Sequence, residues 1–430
     1  MSISCDPSSL ANAARCFESC GKDKNESIKT YLLCQFAQGP SPAIPGNIDI
    51  DAEHSLNGST IVTWTNSDTP TTNEIWRAQN GGAFSLLSTV AGTTHTFTDL
   101  AALPALDVWD YKVRACNGIT CSAFTDVRSA ANGITKTGAA DVTLSYPTLV
   151  ITYAAVNVDS MPNLTSFSAP LLRFIYGANG FRPALSPVFT SFNLDALVQA
   201  VNGPVNFAGT AVGVLSFPKL TTTGDSIYAP GTPVTSCSAP LYVNCGNMVV
   251  FDNCASLVSV SLPAVTVIPN GLSLSQCTAL TSVTFTALTA INANLQMDNC
   301  SALTSLSFPS LQQINTDVVA SNCTLLASVS LPVLASVGAF GVQVNFSSCP
   351  ALTSFSAPNA IWGNSILLSW NFDGLNQASV DEILHRGVLS GTTGSDFELA
   401  NGTNSTPSAA GLADKAILVA TVPPNTVNNN

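Results

Sequence analysis

The sequence predicts a mainly β protein: an N-terminal helical hairpin, a β-sandwich, then a right-handed parallel β-solenoid with a small helical C-terminal cap. Three observations predict it. Apolar and polar residues alternate between 47 and 131, one pattern of about 23 residues recurs from 138 to 371, and helical spacing is confined to the two ends.

Composition narrows the function classes. At 430 residues the chain is too long for one ordinary domain, and only 9% of it is charged. With a net charge of −12 and 14 Lys and Arg thinly spread, it lacks the clustered basic footprint of a nucleic-acid binder. Three His, 6 Glu and 4 Met leave little material for metal or acid–base chemistry, so no cofactor, metal or catalytic residue is expected. No run of about 18 apolar residues predicts a membrane span. The start, Met1-Ser-Ile-Ser-Cys-Asp-Pro7, shows no basic region followed by an apolar core, so no secretory signal is expected.

Residues 1–38 mix charges with helical spacing. Asp6 can cap a helix with Pro7 in its first turn, placing Leu10, Ala13, Ala14 and Phe17 on one face. A second helix, Asn25 to Ala37, carries Ile28, Tyr31, Leu32 and Phe36. So small a hairpin buries too little to stand alone and should dock on the next domain or on another protein. Cys5, Cys16, Cys20 and Cys34 allow zinc in principle. Without paired CxxC spacing or a nearby His, however, packed thiols or one disulfide are the better reading. Residues 39–46, rich in Pro, form a stiff linker.

From 47 to 131 the period is two. Ile61, Thr63 and Thr65 oppose Val62 and Trp64. Further short runs include Glu74–Arg77, Phe84–Leu87, Asp110–Ala115 and Cys121–Val127, together giving about seven strands of a sandwich. Cys116 and Cys121 flank Asn-Gly-Ile-Thr between two expected antiparallel strands, a plausible hairpin disulfide under oxidising conditions. With Trp64, Tyr111 and the Asn80-Gly-Gly82 turn, the stretch resembles a fibronectin type III domain, a fold that serves many roles.

The repeat is clearest at Cys254, Cys277, Cys300, Cys323 and Cys349, spaced 23, 23, 23 and 26 residues, with degenerate starts at 138, 161, 186, 209 and 231. That makes about ten coils of a solenoid, roughly 50 Å long at the spacing of β-strands. Apolar residues recur at offsets 3, 6, 8, 11, 14, 18 and 20 from the Cys; in one unit they are Leu280, Val283, Phe285, Leu288, Ile291, Leu295 and Met297. No stretch is long enough for an amphipathic helix. Pro263, Pro309, Pro332 and Pro358 suit corners, where a missing donor breaks no ladder. Leu257, Leu280, Leu303 and Leu326 should form one internal column. The unit resembles BspA-like leucine-rich repeats and the all-β receptor L-domain variant. From 372 to 430, Asn376–Arg386 reads as a capped helix with Val380, Ile383 and Leu384 inward, and Ser408–Leu418 as a second, together covering the last coil.

Four constellations invite chemistry. Cys254, Cys277, Cys300 and Cys323 stack about 4.8 Å apart, within reach of disulfides. Parallel Cβ vectors seldom give the required torsion, so the ladder reads as packed thiols, with disulfides or metal as lesser alternatives. Asp252 and Asp298, with Asn253 and Asn299 beside them, belong to a polar corner that is either solvated or a Ca²⁺ or glycan contact. Glycan cleavage needs two carboxylates within about 5–10 Å. Between 138 and 371 there is no Glu or His, and Asp252 and Asp298 stand two coils apart. Trp76, Trp109, Trp362 and Trp370 could stack on sugars, although single aromatics are more often core; Trp362 and Trp370 join the candidate contact face.

The helical start (Tyr31-Leu-Leu-Cys-Gln-Phe-Ala37), the sandwich, the repeats and the 376–415 segment together resemble virion proteins of tailed bacteriophages. The resemblance implies a non-enzymatic tail, fibre or capsid-decoration protein in an oligomeric assembly. It would hold other virion proteins through residues 1–38 and present a solenoid face to a host-surface glycan or protein, without nucleic-acid binding or membrane insertion. A BspA-like bacterial surface adhesin is the alternative, and a glycan depolymerase a more distant one.

Overall fold

The computed structural model describes residues 41–51, 59–101, 107–138 and 140–430. The helical hairpin expected at 1–38, with its four Cys, lies outside these residues. The chain divides into two compact units, one running to Asn132 and including Thr148–Ile151, the other made of Gly133–Pro147 and Thr152–Asn430.

In the first unit the alternating stretch forms strands β1 (Gly46–Ile50), β2 (Thr60–Thr65), β3 (Thr72–Gln79), β4 (Ser85–Ala91), β5 (Thr96–Asp99), β6 (Val108–Asn117), β7 (Thr120–Cys121) and β8 (Arg128–Ala131). Gly46, expected in the linker, opens β1. One sheet has the order β1-β2-β5; the other runs β4-β3-β6-β8, with β7 hairpinned onto β6. Inward positions are apolar, including Val62, Trp64, Ile75, Tyr111 and Val113, all buried. The turn after β3 places Asn80 and Gly81 at φ 51° and 71°, the pair of left-handed residues a tight hairpin favours. Tyr111 donates its hydroxyl to Asp99 Oδ2 at 2.9 Å, and Arg77 reaches the same oxygen at 2.6 Å while its guanidinium lies 3.8 Å over the Trp109 ring. Asp99, on β5, thus bonds across to two side chains of the other sheet. Cys116 and Cys121, directly opposite across β6 and β7, are joined by a disulfide.

The second unit is a parallel β-solenoid whose coils turn through three short strands. In the coil that starts at Cys254 these are Ser259–Ser261, Val267–Ile268 and Leu272–Ser273. Equivalent strands of successive coils pair in register, for example Val260↔Val283 and Leu272↔Leu295, so like stacks on like. The first face is laddered in three stretches of three, four and three strands; the third face is one sheet of thirteen, from Ile134–Thr135 to Thr426–Asn429. Coils therefore begin ahead of residue 138, because Ile134–Thr135 already pairs Val156–Asn157. Leu257, Leu280, Leu303 and Leu326 are fully buried, one above another. Val283 is the exception among the inward positions of its coil and is half-buried. It lies on the last strand before a break in the first face.

A left-handed residue precedes each Cys of the 23-residue repeat: Asn253, Gln276, Asn299, Asn322 and Ser348 have φ between 59° and 63°. Gly209 and Gly231 take the same conformation at 70° and 66°. The Cys-equivalent positions in those coils are therefore Thr210 and Thr232, one residue later than the expected starts, since glycine is the residue that turns the corner.

The tail differs from a simple cap. Helix α1 (Gln377–Ser390) has Asn376 as its N-cap, accepting from Ser379 N–H, and buries Val380, Ile383 and Leu384; α2 (Ala409–Val419) is capped by Ser408. After each helix the chain returns to the third face. Asp396–Leu399 pairs Leu367–Ser369 in parallel, and Thr426–Asn429 pairs Asp396–Leu399. These are two further coils, longer because a helix takes the room of short strands. Asn430 is tied down: its Oδ1 accepts from Asn401 N–H at 2.9 Å.

Candidate functional site

The Cys ladder is structural. Cys254, Cys277, Cys300 and Cys323 are free thiols with no exposed surface. Each donates to a carbonyl one coil back: Cys254 to Ala229 at 3.0 Å, Cys277 to Phe251 at 3.1 Å, Cys300 to Leu274 and Cys323 to Met297, both at 3.2 Å. Burial pushes the Cys277 thiol up to about 12, so it stays protonated and keeps its donor. Among the described residues the one cluster of potential metal ligands is Glu74, Cys116 and Cys121. With both sulfurs in the disulfide, no thiolate is left to bind an ion.

Asp252 and Asp298 also act along the axis. Asp252 Oδ1 accepts from Ser273 Oγ at 2.6 Å and from Ser275 N–H at 2.9 Å. Asp298 Oδ1 does the same for the hydroxyl and N–H of Ser321, at 2.6 and 3.1 Å. Each carboxylate clips its coil to the next. Asp159 holds the equivalent position and meets Arg182 at 2.8 Å; burial raises its pKa while that cation pulls it back down. Asn253 and Asn299 are exposed at the left-handed corner beside these clips.

Trp362 and Trp370 do not belong to a contact face. They are 2% and 0% exposed, respectively. Trp370 stacks on Phe346 with centroids 6.0 Å apart and meets Phe355 edge-on at 4.9 Å. Two more coils follow them, so residues that looked terminal are interior. Trp109 is likewise buried, and Trp76 packs edge-on against Phe124 at 5.5 Å.

What the solenoid does present is mostly uncharged. Outward positions of the first face are paired serines, as at Ser236 and Ser238, Ser305 and Ser307, or Ser328 and Ser330. The third face carries a depression of about 290 Å³. Its lining includes apolar Met248 and Val250 together with Tyr228, Asp252, Asn270 and Gln296. Asp252 is thus the one member of the expected contact face that reaches an open recess. Tyr228, Asn270 and Gln296 were not singled out by sequence, because an outward residue changes from coil to coil and leaves no period. The Asn247, Asn270 pair, one repeat apart and bonded Nδ2 to Oδ1 at 2.6 Å, was the available signal. No helix among the described residues is long and apolar enough to cross a membrane.

No protein-family model and no curated protein matches the chain. Among solved structures it is similar to a pectate lyase from Pectobacterium carotovorum, at 10% identity and a TM-score of 0.18, over 78% of this chain and 87% of that one. A likeness at that level says nothing of what this chain binds or does.

Proposed function

We propose that the protein is a non-enzymatic adhesive or structural component of a tailed-bacteriophage virion, with a solenoid that presents a neutral, hydroxyl-rich surface to a host-cell glycan or a neighbouring protein. One observation carries the non-enzymatic part: the two repeat carboxylates nearest to a possible pair, Asp252 and Asp298, join coils through Oδ1. Asp252 and Asp298 each hold a serine of the next coil, which is a scaffold role. A hydrolytic pair would instead need one acid kept protonated opposite one base across a substrate. The sandwich, with β1-β2-β5 and β4-β3-β6-β8 as its strand orders, is read as a fibronectin type III-like spacer. Assignment to a virion rests on the resemblance in sequence, and tail, fibre and decoration roles are equally served by it.

The test is mass spectrometry of purified particles, together with binding of the full chain to host cells. The chain should be present in particles and should bind cells without releasing reducing ends from their polysaccharide. Absence from particles would remove the virion role; release of reducing ends that Asp252→Asn or Asp298→Asn abolishes would replace adhesion with cleavage.

A further inference from the structure

We propose that the depression on the third face is a subsite for a neutral sugar, and that Tyr228, Asp252 and Gln296 are its recognising side chains. The inference rests on the adhesive reading above and gives it a place and a ligand class. At about 290 Å³ the recess is near the lower end of ligand sites, roughly 300–1,000 Å³, a size for one or two sugar rings.

Its lining matches the chemistry of a hexose. A pyranose has an apolar C–H face and a rim of hydroxyls, each both donor and acceptor. The apolar lining is Met248 and Val250, of which Val250 is only 7% exposed. Tyr228 adds a half-exposed ring at the edge. Around it stand groups with hydrogen-bonding capacity to spare. Asp252 uses Oδ1 for the Ser273 and Ser275 clip, so that carboxylate is held rigidly while Oδ2 has no partner among the described residues. Neither the Tyr228 hydroxyl nor the Gln296 amide has a partner there either. Asn270 spends an amide hydrogen on Asn247, leaving its carbonyl oxygen as an acceptor. Fixing a recognition group through bonds that also hold the scaffold lowers the entropy lost on binding.

Charge selects among sugars. No Lys or Arg lines the recess, and Asp252 is its one ionisable carboxylate. A uronate, sialate or phosphorylated sugar would bring an anion against that carboxylate with nothing to neutralise it, whereas a neutral hexose would not. Gly271 in the lining sits at φ 120°, a conformation that strains any side chain, and a Cβ there would lie a tight 3.1 Å from Asn294 O.

Saturation-transfer NMR on the purified full chain tests this with glucose, galactose, N-acetylglucosamine and galacturonate and their short oligomers. The neutral sugars should give transfer and the uronate little. Tyr228→Ala and Gln296→Ala, which break no coil-to-coil bond, should each weaken binding of the best neutral oligomer by about 10-fold with an unchanged melting temperature. Equal binding of galacturonate, absence of any sugar binding, or full affinity in both variants would overturn the proposal. Sugar binding lost in both variants of a chain that is absent from particles would remove the virion reading and leave the subsite. A chain found in particles that binds cells equally well with or without Tyr228 would do the reverse.

Discussion

At the scale of the residue, the Cys position shows how one site accepts several chemistries. A donor there can reach a carbonyl one coil back. Cys277 and Cys300 supply a thiol, and Ser186 supplies a hydroxyl, donating to Val158 O at 3.2 Å. Cys300→Ser, which keeps a donor as Ser186 does at this position, should cost less than ~1 kcal/mol. Cys300→Val, of like size without a donor, should cost about 1–3 kcal/mol by stranding the Leu274 carbonyl. Urea denaturation of the two variants compares them, and equal losses would deny the thiol its role as donor. Asp373 is the outlier of the series. It follows the left-handed Phe372 (φ 64°), is 1% exposed, and accepts from Cys349 N–H at 2.7 Å, while its Oδ2 has no partner among the described residues. Burial pushes its pKa up to about 8 from the ordinary 3.8, so the folded state favours the protonated acid. The stability this proton confers is fully present below about pH 4 and is lost as pH rises through about 8. Asp373→Asn keeps the Oδ1 acceptor and removes the charge. It should match the wild type near pH 4 and exceed it by about 1–3 kcal/mol at pH 8.5. Denaturation curves at pH 4, 6 and 8.5 that stay parallel would show that the carboxyl does not titrate in the fold.

At the scale of the element, corners decide where a coil bends. The residue before each Cys must adopt a left-handed conformation that costs a side-chain-bearing residue roughly 1–2 kcal/mol, less for Asn. Gln276, at φ 62° with an exposed side chain, is the least suited occupant. Gln276→Gly should therefore raise stability by about 0.5–1 kcal/mol, and Gln276→Val should lower it by more than ~1 kcal/mol. A thermal melt in which both shift the midpoint in the same direction would contradict this account. Threonines at other corners donate to the coil behind, Thr281 to Val258 O at 3.2 Å and Thr289 to Thr266 O at 2.9 Å. This explains a chain so rich in hydroxyls and so poor in charge. Such repetition is also why the coil could be read from sequence. Leu257 and its successors meet the same surroundings every 23 residues, so their side chains converge on one type. The helix caps Asn376 and Ser408 were legible for a similar reason, being local. What was hidden had either no period or a changed one. The last two coils advance 29 and 30 residues, from Leu367 to Asp396 and then to Thr426, and their helices masked the returning strands. Trp362 and Trp370 looked peripheral for that reason alone. Outward residues such as Tyr228 face solvent or ligand and not their own copies, so nothing makes them recur.

At the scale of the whole solenoid, each coil touches only the coil before and the coil after. The thirteen strands of the third face are joined by bonds between neighbours, as are the Cys, Asp and Thr ladders. Stability in such an array is a sum of coil and interface contributions, so a defect should spread through neighbours and fade with distance. Leu280 lies mid-array and has no exposed surface. Leu280→Ala should leave a cavity worth about 2–5 kcal/mol of lost stability. Hydrogen exchange read by mass spectrometry gives the spatial signature: amides of Val249–Val250, Leu272–Ser273 and Leu295–Gln296 should exchange faster. Those of Val156–Asn157 and Asp396–Leu399, several coils away in either direction, should keep their wild-type rates under native conditions. Acceleration shared equally by all these strands would mean that the array opens only as one unit. Stacking of like on like would then still describe the geometry, while the energetics would belong to a single cooperative core.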